Sequence, residues 1–175
     1  MDFIFPSALV TRSRKIVLYS SVHELQMDTL PFHTKMVFLP VLDRAELQRC
    51  ASQKIPCMVT LHSLQNAVDA LKLSGLSFVH VNMNGPPIID YAWMTGAKNN
   101  SLEVVFSLRD LREAFAQKNT NSLMEFRKIA FLLSKEKIPL HVGSFARKEE
   151  ECISPVEQAS LLHYLGYVLS RGVVK

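Results

Sequence analysis

MVTLHSLQNAVDALKLSGLSFVHV, Met58 to Val81, sets a longer segment of helical periodicity between two short apolar runs. The runs Met58 to Leu61 and Phe78 to Val81 suit strands covered on both faces rather than on one. The segment Ser63 to Leu73 between them reads as a helix. Strand, helix and strand in this order call for a parallel pair joined by a crossover.

Outward from this unit the pattern repeats. Further strands are expected at Asp2 to Phe5, Ile16 to Ser20, Met36 to Leu39, Leu102 to Phe106 and Leu140 to Val142. Further helices are expected at Arg44 to Gln53, Pro87 to Ala97, Leu108 to Ala116, Ser122 to Lys135 and Pro155 to Leu169. In the last of these, Ser154 is a natural N-cap, Pro155 takes the first helical position, Glu157 completes a capping box and Gly166 marks the far end. Asn121 or Ser122 serves as the cap of the preceding helix. The first forty residues resist this reading, because Arg12, Arg14 and Lys15 sit between two apolar runs with no clear helix. A full eight-unit barrel takes about 250 residues. Some seven strands in 175 residues therefore predict one α/β domain over 1–175, a TIM-barrel-like (β/α) barrel that is trimmed or incompletely closed, or else an open sheet.

A chain of this length, with 48% hydrophobic and 21% charged residues, buries a substantial core. No apolar run reaches the roughly 18 residues of a membrane span, and the start MDFIFPSALVTRSRK lacks the order of a secretory signal, so an intracellular setting is expected. Cys50, Cys57 and Cys152 are odd in number and have no C-x-x-C spacing, which predicts reduced, mostly buried thiols. A net charge of +4 and a pI near 9.0 suit an acidic partner such as nucleic acid and equally suit an ordinary basic protein.

No nucleophile motif is present: there is no G-x-S-x-G, no G-x-x-x-x-G-K-[ST] and no G-x-G-x-x-G. The histidines include no H-x-H and no H-E-x-x-H, and His62, His80 and Asp90 near strand ends are the best metal-ligand candidates. They would make a small metal-dependent barrel hydrolase, against the plainer reading of half-buried histidines with backbone partners. NMNGPPIID, Asn82 to Asp90, reads as a turn and helix start whose N–H groups offer a phosphate site, with a plain helix start as the alternative. Basic residues gather in the later part of the chain, where Lys98 at the end of a helix and Arg109 and Arg147 each following a strand can share a cationic rim able to hold phosphates, with solvated surface charge and helix-end complementarity as the plainer alternative.

From Ala97 onward the chain offers Ala97-Lys98, Leu102-Glu103-Val104, Lys137-Ile138-Pro139-Leu140, Ser144-Phe145-Ala146-Arg147, Ser154-Pro155 and Leu165-Gly166 in order. This series resembles the carboxy-terminal half of the ribonuclease P protein component 3 family, the barrel-like protein subunit of archaeal and eukaryotic ribonuclease P. The earlier part of the chain shares only the alternation of strands and helices. Two positions depart from the family: Phe145 stands in place of the turn's usual glycine, and Ile153 where an arginine often precedes Ser-Pro.

The resemblance implies a noncatalytic subunit of the enzyme that removes the 5′ leader of precursor tRNA. The RNA does the cutting with Mg2+, and the polypeptide itself binds no cofactor. It also implies a small ferredoxin-like protein partner, contact with ribonuclease P RNA and other subunits, no membrane, and a cytoplasmic location, or a nuclear or nucleolar one in a eukaryote. By this resemblance Arg147 and then Lys98 are the first RNA-binding candidates, followed by Arg109, Lys148 and Arg127. Glu103, if buried, is expected to pair with Lys98 or Arg147.

Overall fold

The computed structural model describes residues 2–4, 15–27, 34–82, 89–146 and 152–167. Seven strands form one sheet: β1 (Asp2–Ile4), β2 (Lys15–Tyr19), β3 (Thr34–Leu39), β4 (Cys57–Leu61), β5 (Leu76–Val81), β6 (Glu103–Ser107) and β7 (Leu140–Gly143). They lie in the order β1-β2-β3-β4-β5-β6-β7, and every neighbouring pair is parallel. The sheet curls until Cα atoms of β1 and β7 come within 8 Å, although no ladder joins these two among the described residues. This is the parallel α/β architecture that the sequence predicts, as a curled sheet.

The helices are α1 (Val22–Met27), α2 (Arg44–Gln53), α3 (Leu64–Ala70), α4 (Tyr91–Asn99), α5 (Leu108–Ala116), α6 (Thr120–Glu136) and α7 (Pro155–Tyr164). Helix α1 was not expected from the sequence. Its first turn is held by Ser21 Oγ, which accepts from the Glu24 N–H at 3.1 Å, and by the Glu24 carboxylate, which accepts from the Ser20 N–H at 2.8 Å. Helix α4 begins at Tyr91 rather than Pro87 because Asp90 Oδ1 accepts from the Trp93 N–H at 2.7 Å. Helix α6 is capped by Asn119, upstream of both predicted caps. Helix α7 carries the predicted capping box of Ser154 and Glu157 and stops at Tyr164, short of Leu169, where Gly166 turns the chain at φ +82°.

Five helices end alike. Within two residues of each end the backbone takes a left-handed φ, at Lys54, Ser101, Lys118, Lys137 and Gly166. The next N–H then donates back five residues at 2.9 Å, from Ile55 to Cys50, Leu102 to Ala97, Asn119 to Ala114, Ile138 to Leu133 and Tyr167 to Leu162. This closure satisfies carbonyls that a helix end leaves open. Only one of the five uses the glycine that favours such a backbone.

Side chains alternate across the sheet. Val37, Val59, Val79, Val104, Phe106 and Val142 point outward into one core with the helices, which add Leu47, Trp93, Phe126, Ile129 and Leu162. Ile16, Leu18, Met36, Met58 and Val105 point inward into a second cluster with Phe38, Phe78 and Phe145, and no helix contributes to it.

Candidate functional site

The inner face of the sheet is where the polar chemistry collects. On β6 and β7, Glu103 and His141 alternate with the outward Val104 and Val142, so both lie inside the curl, where His141 Nε2 donates to Glu103 Oε2 at 2.6 Å. Glu103 therefore pairs with histidine, and the expected pairing with Lys98 is not made. The Lys98 ammonium lies 3.7 Å from Glu136 instead. Toward the carboxyl ends of the strands, Thr60 Oγ1 and His80 Nδ1 are 3.1 Å apart. His80 Nε2 points at Asp110 Oδ2 from 3.7 Å, beyond hydrogen-bond length, and this buried nitrogen has no hydrogen-bond partner among the described residues. One histidine–carboxylate pair is thus closed and the other open.

Phe145 explains part of this arrangement. It follows β7 with φ +50°, a left-handed backbone that a phenylalanine rarely adopts. The ring turns back over the open pair and lies 4.8 Å from the His80 ring and 5.5 Å from that of Phe38, centroid to centroid. The turn residue that breaks the family pattern thus fills the upper interior of the curl.

His62, His80 and Asp90 do not form a metal centre together. His62 Nε2 sits 2.6 Å from Pro40 O and its Nδ1 3.3 Å from the Asn82 amide, while Asp90 is occupied as the cap of α4. Among the described residues no three His, Cys, Asp or Glu side chains converge on a metal-sized site. The phosphate-site reading of Asn82 to Asp90 falls largely on residues outside the described ones.

The cationic candidates lie apart. Lys98 is in the last turn of α4, at the end of the sheet where β6 begins, and Arg109 is in the first turn of α5, at the end where β6 finishes. The expected common rim for these two is therefore not formed, since crossover helices run opposite to their strands and end at the other edge. Arg109 is exposed and bonded to Glu113 at 3.2 Å. Arg127, midway along α6, holds its guanidinium 5.9 Å from the Tyr164 ring centre. Arg147 and Lys148 lie outside the described residues. Ile153, at the position of the family's arginine, is buried in the outer core.

The remaining chemistry is muted. Cys50 and Cys57 are buried free thiols whose pKa values burial pushes upward, which disfavours thiolate, and Cys152 is half-buried. Sequence reading missed Tyr167, whose hydroxyl donates to Ile138 O at 3.0 Å and accepts from the Leu140 N–H at 3.2 Å, tying the end of α7 to β7. No helix among the described residues is long and apolar enough to cross a membrane.

An apolar furrow lies on the outside, between α5 and α7, with a volume of about 590 Å3. Leu108, Leu111, Ile153 and Leu161 line it, with Arg112 and Tyr164 at its edges.

No known family model matches the chain, and no curated protein does either.

Proposed function

We propose that this chain is a noncatalytic protein subunit of ribonuclease P, built on a trimmed TIM-like barrel. In this reading it binds the catalytic domain of the RNA together with a small ferredoxin-like protein. The ordered motifs from Ala97 to Gly166 support it, and so does a parallel sheet that curls with its strands in sequential order.

The observation that carries the reading is Phe145. Its φ of +50° is a backbone that a glycine adopts freely, which supports reading this turn as the one where the family usually has glycine. The same ring occupies the carboxyl-end interior, the place where barrel enzymes keep their catalytic residues. In this reading the ring covers the end of the barrel that an enzyme would use, and the chain serves as a scaffold. In sequence Arg147 and Lys148 follow this turn, and in this reading they contact phosphate, as does Arg109. Lys98 and Arg127 make separate contacts from other parts of the surface.

The test is reconstitution with ribonuclease P RNA and the small protein partner. Binding is expected to weaken steeply with added salt. Arg147→Ala is expected to weaken it by about 1–3 kcal/mol. Salt-independent binding, or an Arg147→Ala protein that binds as well as the parent, refutes the proposal.

A further inference from the structure

We infer that the outward face of α7 and the furrow beside it dock an amphipathic helix of another protein, one with carboxylates along its flanks. The inference goes beyond the ribonuclease P reading and does not depend on it.

Helix α7 faces the sheet through Gln158 and Leu162, both buried, and Gln158 Nε2 donates to Val142 O at 2.7 Å. Its opposite face is made by Val156, Ala159, Ser160 and His163, the i, i+3, i+4, i+7 spacing of a helix seam. These four line a shallow hollow of their own. Val156 is 75% exposed, on a helix that keeps no long polar side chain along this line. The short side chains of Ala159 and Ser160 allow a second backbone to come close.

On its other side α7 forms one wall of the furrow, with α5 as the other. The aromatic rings at its edge, Phe115 and Tyr164, are 41% and 53% exposed, and their centroids lie 5.8 Å apart. Hollow, seam and furrow are contiguous because Val156 and Ser160 belong to both depressions. A helix lying along α7 fills the furrow with its apolar side chains, the groove mode of recognition.

The chemistry of the rim selects the occupant. The furrow floor is aliphatic, so it offers nothing to pair with the edges of nucleic-acid bases. Ser160 Oγ already donates to Val156 O. Arg112 has no ion-pair partner within 4 Å among the described residues, and Arg127 stands over Tyr164. Glu157 also lines the furrow; its carboxylate accepts from the Ser154 N–H at 2.8 Å and feels the charge of Arg112, so Arg112 and Arg127 leave the rim with a surplus of positive charge. An acidic helix meets these arginines with opposite charge.

Fluorescence anisotropy on the full chain tests this with two labelled helical peptides. Both carry leucines at i, i+3, i+4 and i+7; one is flanked by glutamates and the other by lysines. The glutamate peptide is expected to bind, and the lysine peptide to bind about tenfold more weakly or less. Ser160→Glu, at an exposed helical position, is expected to weaken the glutamate peptide about tenfold or more, and Arg112→Glu to reverse the preference between the two. His163→Glu is expected to act as Ser160→Glu does, and circular dichroism checks that each is folded. Failure of the glutamate peptide to bind, equal binding of both, or binding unchanged by Ser160→Glu overturns the inference. So does self-association, or capture of a single-stranded RNA probe, that Ser160→Glu abolishes.

Discussion

The outer face of the sheet meets helices, through Val37, Val59, Val104 and Val142 against Phe126, Ile129 and Leu162, whereas the inner face meets only itself. There Met36, Met58, Phe38 and Phe78 close the space with the returning ring of Phe145, around one closed and one open histidine–carboxylate pair. The outer face follows from a rule that any parallel sheet obeys, that a helix covers the strands it connects. The inner face depends on particular residues. Three aromatic rings and two thioethers fill it.

The largest expected effect breaks the outer layer. Phe126→Ala removes a fully buried ring that packs edge-on against Phe106 at 4.9 Å, and should lower unfolding free energy by about 3–5 kcal/mol in denaturant titration. Tyr167→Phe comes next, at about 1–3 kcal/mol, because it leaves Ile138 O and the Leu140 N–H without their partner. It carries a pH signature too. Burial raises the Tyr167 hydroxyl above its ordinary pKa of 10.0, so its contribution is fully present below that pH and is lost as pH rises through the folded-state value. An alkaline unfolding step that shrinks in Tyr167→Phe is the expected record.

Phe145 sharpens the contrast on the inner side. Both Phe145→Ala and Phe145→Gly lose the ring, but only alanine keeps a Cβ in the left-handed backbone. The glycine variant should therefore be the more stable of the two by about 1 kcal/mol in thermal unfolding. Equal stability would mean that the turn relaxes once the ring is gone. Smallest, and outside both faces, Lys137→Gly should raise stability by about 0.5–1 kcal/mol, since Lys137 ends α6 at φ +60°.

The strands were legible because an apolar run covered on both faces is visible without knowledge of its neighbours, and all seven predicted runs are strands. Helix ends were less so. Asp90 and Asn119 cap their helices at positions that periodicity alone does not mark, and four of the left-handed stops use lysine or serine where sequence reading looks for glycine. Helix α1 is short, and its signal was the pair Ser21 and Glu24 three residues apart. At the site, Phe145 stood out in the sequence as a misfit, but its ring contacts join residues far apart in the chain. The separation of Lys98 from Arg109 was legible in principle, since a helix's last turn and a strand's last residue belong to opposite edges of a parallel sheet.

The repeated helix stop has a consequence for how such a chain can change. At α2, α4, α6 and α7 the residue after the left-handed turn, Ile55, Leu102, Ile138 or Tyr167, packs into the outer core as the chain leaves the helix. A residue inserted into one of these helices would rotate the stop by about 100° and withdraw that anchor. Length can therefore vary more freely at the opposite edge where a loop joins strand to helix, so a fluorophore or affinity tag inserted at the exposed Val41, between β3 and α2, should leave the fold intact, whereas Ser107 ends β6 and caps α5 with no loop between.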